Sequence, residues 1–205
     1  MANAQSHSSP RRDSSLRPSP IMLWSIMAVA FALRVLVATQ LPFGQTVRYR
    51  LEGFNDEPSH YNYVRYLAEN KELPVLEVSG RAPDAFIRNE FEYHQPPVYY
   101  LLVAGLNRLV GGQAGIMVGR LLSAVFGVLT LPVIAAIFRR MGAGAGLQAS
   151  AMLFWALFLS HVYHTSVVSN DGITWLWAAL ITHQAVVFAQ ARSTGRWVGH
   201  PLPVT

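Results

Sequence analysis

The sequence predicts an all-α protein that crosses a membrane about four times and has two further helices in a large first outer loop. Hydrophobic residues make up 52% of the chain and charged residues only 13%, whereas soluble domains contain about 25% charged residues. The apolar residues are also clustered. Four runs approach the roughly 20 residues that cross about 30 Å of hydrocarbon, and they lie at 21–39, 118–138, 147–163 and 173–189.

The first element is a polar tail at residues 1–20. This segment is rich in serine and proline and contains Arg11, Arg12 and Arg17, a composition typical of a disordered segment. The apolar run that follows is too long for the core of a signal peptide and lacks a cleavage site of small residues, so we expect an uncleaved first helix.

Three basic clusters define the expected orientation. They are Arg11/Arg12/Arg17, Arg139/Arg140 and Arg192/Arg196. The positive-inside rule places all three in the cytoplasm, so the tails at 1–20 and 191–205 are expected there. The segment 41–117 then becomes one outer loop. Its apolar run at 98–110 is too short to span a membrane and fits an interfacial or re-entrant helix.

Two helices are expected in this outer loop. Pro58 suits the first turn of a helix that runs to Asn70, with Tyr61 and Val64 on one face and Arg65 on the opposite face. The residue pair 96–97, both prolines, favours the start of the second helix. Both helices are predicted to lie on the membrane surface.

Composition also excludes some classes of function. The chain has no cysteine, so neither disulfides nor thiolate metal sites can form. Its net charge of +5 comes from basic residues scattered along membrane boundaries instead of gathered on one face. Nucleic acid is therefore not an expected partner.

The adjacent acids Asp56 and Glu57 are the first candidate functional residues. They could stabilise a helix N-terminus by capping its amides and opposing its dipole. They could instead supply a general base beside a second acid that binds a metal or positions a substrate. His60 and His94 follow them, and each could be a hydrogen-bonded histidine or a metal ligand.

Three further candidates lie in or next to the spans. Arg34 is a guanidinium inside an apolar run, so it should meet a partner or cavity or extend to the interface. Arg120 fits either an interfacial anchor or a contact to a lipid phosphate. Asp171 fits a turn residue or helix cap on the outer side.

The order of these features is more specific than any one of them. A span with Arg34 precedes the Asp-Glu pair, a surface helix, the motif His-x-Pro-Pro-x-Tyr-Tyr from His94, a span that begins Arg-Leu-Leu-Ser at Arg120, and Ser-Asn-Asp ending at Asp171. Over residues 21–190 the chain resembles the GT-C membrane glycosyltransferases, and most of all the group of protein O-mannosyltransferases, aminoarabinose transferases and Rgt-type enzymes.

The resemblance implies an inverting transfer from a polyprenyl-phosphate sugar to the hydroxyl of a protein, lipid or glycan, on the outer face of a bacterial plasma membrane. Asp56 would be the catalytic base and Glu57 its neighbour in the motif. Arg34, His94 and Arg120 would bind the donor phosphate. Glu57 and His94 could hold a divalent metal ion, with His60 and Asp171 also on the outer face.

Enzymes of this group are usually more than twice as long as this chain. We therefore expect the sequence to be the N-terminal part of such an enzyme, with a further C-terminal membrane part elsewhere. The alternatives are a non-catalytic membrane subunit and a small transport or assembly protein. The last three spans carry few ionisable groups apart from His183, which argues against transport.

Overall fold

The computed structural model describes residues 17–41, 43, 56–74 and 93–193, with the side chains of residues 112 and 113 left out. Within these ranges every regular element is an α-helix. Residues 1–16 and 194–205 of the predicted tails, which include Arg11, Arg12 and Arg196, lie outside the described residues, as do residues 42, 44–55 and 75–92 of the predicted loop. The helices are α1 (Pro20–Gln40), α2 (Glu57–Asn70), α3 (Val98–Val110), α4 (Gly112–Arg140), α5 (Ala145–Leu157), α6 (Leu159–His164) and α7 (Asp171–Ser193).

Three of these helices are long and apolar enough to cross a membrane: α1, α4 from Ala114 onward, and α7. The chain is thus an integral membrane protein by length and composition. The remaining predicted span, at 147–163, is present as two shorter helices. They are separated at Phe158, whose backbone is extended with φ −62° and ψ 113°.

The two helices predicted ahead of the second long span are both present. In α2 the buried side chains include Tyr61, Val64 and Leu67, while Arg65 and Glu69 are exposed. This matches the predicted faces, but the buried face packs against α3. Arg108 of α3 completes the contact by donating from Nε and Nη2 to carbonyls in the last turn of α2, at 3.0 and 2.8 Å.

Helix α4 is the centre of the packing and contacts α1, α3, α5, α6 and α7. Two groups of buried side chains form around it. One joins α2, α3 and α4 and is rich in tyrosine, including Tyr63, Tyr99 and Tyr100. The other joins α1, α4 and α5 through small and aliphatic residues such as Ala30, Leu131 and Met152. The candidate site lies beside the first group.

Candidate functional site

Glu57 and Arg120 form a buried ion pair at the start of α2. Arg120 donates from Nε to Oε1 at 2.7 Å and from Nη2 to Oε2 at 2.6 Å. Glu57 is 0% exposed and Arg120 3% exposed. This bidentate geometry is the strongest form of carboxylate–guanidinium contact. Arg120 was expected at an interface, and the structure places it in the interior.

Further bonds tie this pair to distant segments. The backbone N–H of Val168 donates to Oε1 of Glu57 at 2.7 Å. Nη1 of Arg120 donates to the carbonyls of Ala38 and Leu41 at the end of α1, the latter at 2.9 Å. The pair therefore joins α1, α2, α4 and the segment before α7.

Asp56 has a very different environment, although it is the adjacent residue. Its side chain is 66% exposed and makes no capping bond, since the cap is formed by its backbone carbonyl, which accepts from the amides of Ser59 and His60. Helix capping therefore does not engage the carboxylate. Oδ2 lies 3.3 Å from Nε2 of His60.

The pKa of the Asp56 carboxyl lies below its ordinary value. The main cause is the hydrogen bond from His60, which outweighs the opposing effect of partial burial. The charges of His60 and His164 lower the pKa further. The carboxyl group is therefore in its ionised form at neutral pH, as a general base must be, but its lowered pKa makes it a weaker base.

His60 connects Asp56 to the tyrosine-rich core. Its ring is 4% exposed, and its Nδ1 lies 2.6 Å from the hydroxyl of Tyr100. The two rings are stacked, with centroids 5.8 Å apart. Asp56, His60 and Tyr100 thus form a continuous hydrogen-bonded chain from the surface to the interior.

A second histidine–carboxylate pair lies near Asp56. Nδ1 of His164 is 3.0 Å from Oδ2 of Asp171, and the same oxygen accepts from the Ser169 hydroxyl at 2.8 Å. Asp171 is the first residue of α7 and directly follows the turn at 165–170, whereas the sequence predicted a turn residue or a helix cap. Because His164 influences the pKa of Asp56, the two pairs belong to one surface, which we call the Asp56 face.

His94 lies close to Gln95, with their Nε2 atoms 3.3 Å apart, and its ring is exposed. Gln95 accepts from the side chain of Asn170 at 3.0 Å, so the segment ahead of α3 is joined to the turn directly before Asp171. The structure thus links the His94 segment to the turn of the Asp56 face.

Arg34 is in a separate, fully buried polar cluster. Nε donates to the hydroxyl of Thr165 at 2.8 Å, and Nη1 donates to the carbonyls of Ala30 and Ala156 at 2.8 and 3.3 Å. Nη2 donates to Nδ1 of His161 at 2.8 Å. All three nitrogens are used within the protein, so Arg34 does not extend to the interface.

This cluster fixes the protonation of His161. A guanidinium can only donate, so Nδ1 of His161 accepts and Nε2 carries the proton. The contact of Nδ1 with the Trp155 carbonyl at 3.0 Å is therefore not a hydrogen bond. Among the residues that the structure describes, none is a hydrogen-bond partner of Nε2, and the ring lies between Trp155 and Trp175, with both centroids 5.6 Å away.

Among the described residues, no group of three or more His, Cys, Asp or Glu side chains is placed to hold a metal ion. The divalent ion suggested by the sequence stays a prediction.

Sequence reasoning missed the long-range partners of the site. They are Tyr100, His161, His164 and the amide of Val168. A weak signal existed for Tyr100, which closes the His-x-Pro-Pro-x-Tyr-Tyr motif. Comparison of the chain with protein-family models, with curated proteins and with solved structures found no match.

Proposed function

We propose that this protein transfers a sugar from a polyprenyl-phosphate donor to an acceptor hydroxyl, with Asp56 as the general base. The proposal is supported by the different surroundings of two adjacent acids. Glu57 is buried in an ion pair, while Asp56 is exposed, held by one histidine and not used for capping. Such a carboxylate can accept a proton from a substrate.

The proposed reaction is a single displacement. The acceptor hydroxyl gives its proton to Asp56, and its oxygen forms a bond to the anomeric carbon of the donor sugar. The bond from that carbon to the phosphate oxygen breaks, and its electron pair stays on the polyprenyl phosphate. One displacement inverts the anomeric configuration. The phosphate is already a good leaving group, so no second carboxyl acid is needed, unlike in glycosidases.

The leaving phosphate requires positive charge or hydrogen-bond donors nearby. Among the described residues, His94 is exposed and the side chain of His164 is about half exposed, so either ring could supply a charge or a donor at this face. The nitrogens of Arg34 and Arg120 already donate to protein acceptors. We therefore assign the phosphate contact to His94, and to the two arginines the task of holding α1 and α4 in place. No step of the proposed reaction uses a metal ion.

The proposed orientation places the Asp56 face outside the bacterial plasma membrane and both termini in the cytoplasm. It requires α5 and α6 to cross the membrane together. Residues 145–164 would reach about 30 Å at the 1.5 Å rise of an α-helix, which matches the hydrocarbon thickness.

The proposal is tested by sugar transfer in native membranes, where any partner of the chain is present. Asp56→Asn keeps the shape of the side chain but not its basicity, so we expect the rate to fall by about 10²–10⁴-fold. Glu69→Gln is the matched control, because Glu69 is an exposed carboxylate on the same helix. Absence of transfer by the unchanged protein would favour a non-catalytic membrane subunit.

A further inference from the structure

His60 makes three contacts that the proposed reaction does not by itself explain: one at each ring nitrogen and one on the face of its ring. It lies one helical turn after Asp56, with Nε2 3.3 Å from Oδ2. Its Nδ1 is 2.6 Å from the Tyr100 hydroxyl, and its ring is buried and stacked on that of Tyr100. Both ring nitrogens therefore have a partner, and the ring cannot rotate without losing both contacts.

These partners determine which nitrogen of a neutral His60 carries the proton. A carboxylate only accepts hydrogen bonds, so the nitrogen that faces Asp56 must be Nε2–H. Nδ1 is then an acceptor, and the Tyr100 hydroxyl donates to it. The opposite tautomer would direct a lone pair at a negative charge.

We propose that His60 is a positioning residue for Asp56. Its Nε2–H fixes Oδ2 and leaves Oδ1 as the oxygen that receives the acceptor's proton, while Tyr100 fixes the imidazole. The catalytic meaning of this arrangement rests on the proposed function, but the hydrogen-bonded chain does not. A displacement of about 1 Å in a reacting group can reduce a rate about 10²-fold, so an exposed base benefits from such support.

The hydrogen-bonded chain is tested by ¹⁵N-histidine NMR of the full chain in lipid nanodiscs. The signals of His60 are assigned by their loss in His60→Gln. We expect the Nε2–H tautomer in the neutral ring, and a shifted Nδ1 resonance in Tyr100→Phe. A proton on Nδ1, or an Nδ1 resonance that does not move in Tyr100→Phe, would overturn the proposal.

The positioning role is tested by comparing two replacements of His60 in the transfer assay. The amide of glutamine can still donate to Asp56, whereas phenylalanine preserves only the stacked ring. We expect His60→Phe to lose about 10²-fold in kcat, with KM for the donor unchanged, and His60→Gln to recover a large part of that loss. Equal rates for the two variants would refute the role. If the unchanged protein transfers no sugar, the proposed function fails while the NMR result still decides the hydrogen-bonded chain.

Discussion

At the scale of single residues, the contact between His60 and Asp56 sets the acid–base behaviour of the exposed carboxyl. The hydrogen bond from His60 is the main cause of its lowered pKa. The ionised carboxylate therefore stabilises the folded state above the pKa of about 3.9 that an unfolded chain shows. This contribution is lost as the pH falls through the lower pKa of the folded state.

We predict that the carboxyl group of Asp56, observed by NMR of ¹³Cγ-labelled aspartate, has a pKa below the ordinary value of about 3.9. His60→Phe should move the midpoint upward, because the main stabilising hydrogen bond is removed. Asp56→Asn should reduce thermal stability more near neutral pH than near pH 3. An ordinary midpoint that His60→Phe does not change would contradict the assigned cause.

The candidate residues themselves could be predicted from short motifs, but their separate roles could not. The sequence indicated Asp56 and Glu57 because they are adjacent acids at the start of a predicted helix in the outer loop. Glu57 is buried because Arg120 and the amide of Val168, 111 residues away, converge on it. Such long-range partners depend on how the helices pack, which local sequence patterns do not contain.

At the scale of helices, hydrogen bonds from Arg34 stabilise the break between α5 and α6 at Phe158. The end of α5 leaves carbonyls without helical partners, and Arg34 donates to one of them, on Ala156, while also binding Thr165 and His161. The run at 147–163 has neither proline nor glycine, so local sequence gave no sign of the interruption. The length of the apolar runs predicted α1, α4 and α7, because the hydrocarbon thickness sets that length, and apolar periodicity predicted the two faces of α2.

We predict that Arg34→Leu lowers the free energy of unfolding by about 3 kcal/mol or more, since each buried polar group left without a partner costs about 1–3 kcal/mol. Reversible unfolding in bicelles measures the change. Arg139→Leu is the control, because Arg139 is exposed at the end of α4. Equal effects of the two variants would refute a structural role for Arg34.

The contact between α4 and α7 requires glycine at position 172. A Cβ there would lie 2.8 Å from the backbone carbonyl oxygen of Ser123, so the helices would have to move apart. We predict that Gly172→Ala lowers thermal stability. Gly105→Ala is the matched control in α3, because a Cβ there meets nothing within 4 Å and alanine favours a helix by about 1 kcal/mol. Similar midpoints for the two variants would contradict this packing.

At the scale of the whole molecule, the proposed orientation in the membrane rests on the positions of the basic residues. The packing of the helices does not by itself indicate which side faces the cytoplasm. The chain has no cysteine, so single cysteines can be placed freely. We predict that Glu69→Cys reacts with an impermeant maleimide from outside the cell. Gly144→Cys, in the turn between α4 and α5, should react only after the membrane is opened. The reverse pattern would invert the proposed topology.

Our central proposal is that two adjacent carboxylates have different roles. Asp56 acts as the general base in the reaction, and Glu57 stabilises the fold. The most direct test of this proposal measures both thermal stability and sugar transfer per folded molecule for Asp56→Asn and Glu57→Gln. Removing one partner of a buried ion pair costs about 3–5 kcal/mol, so Glu57→Gln should lose mainly stability. Asp56→Asn should keep most of its stability and lose about 10²–10⁴-fold in rate. Near-normal transfer by folded Asp56→Asn would contradict the claim.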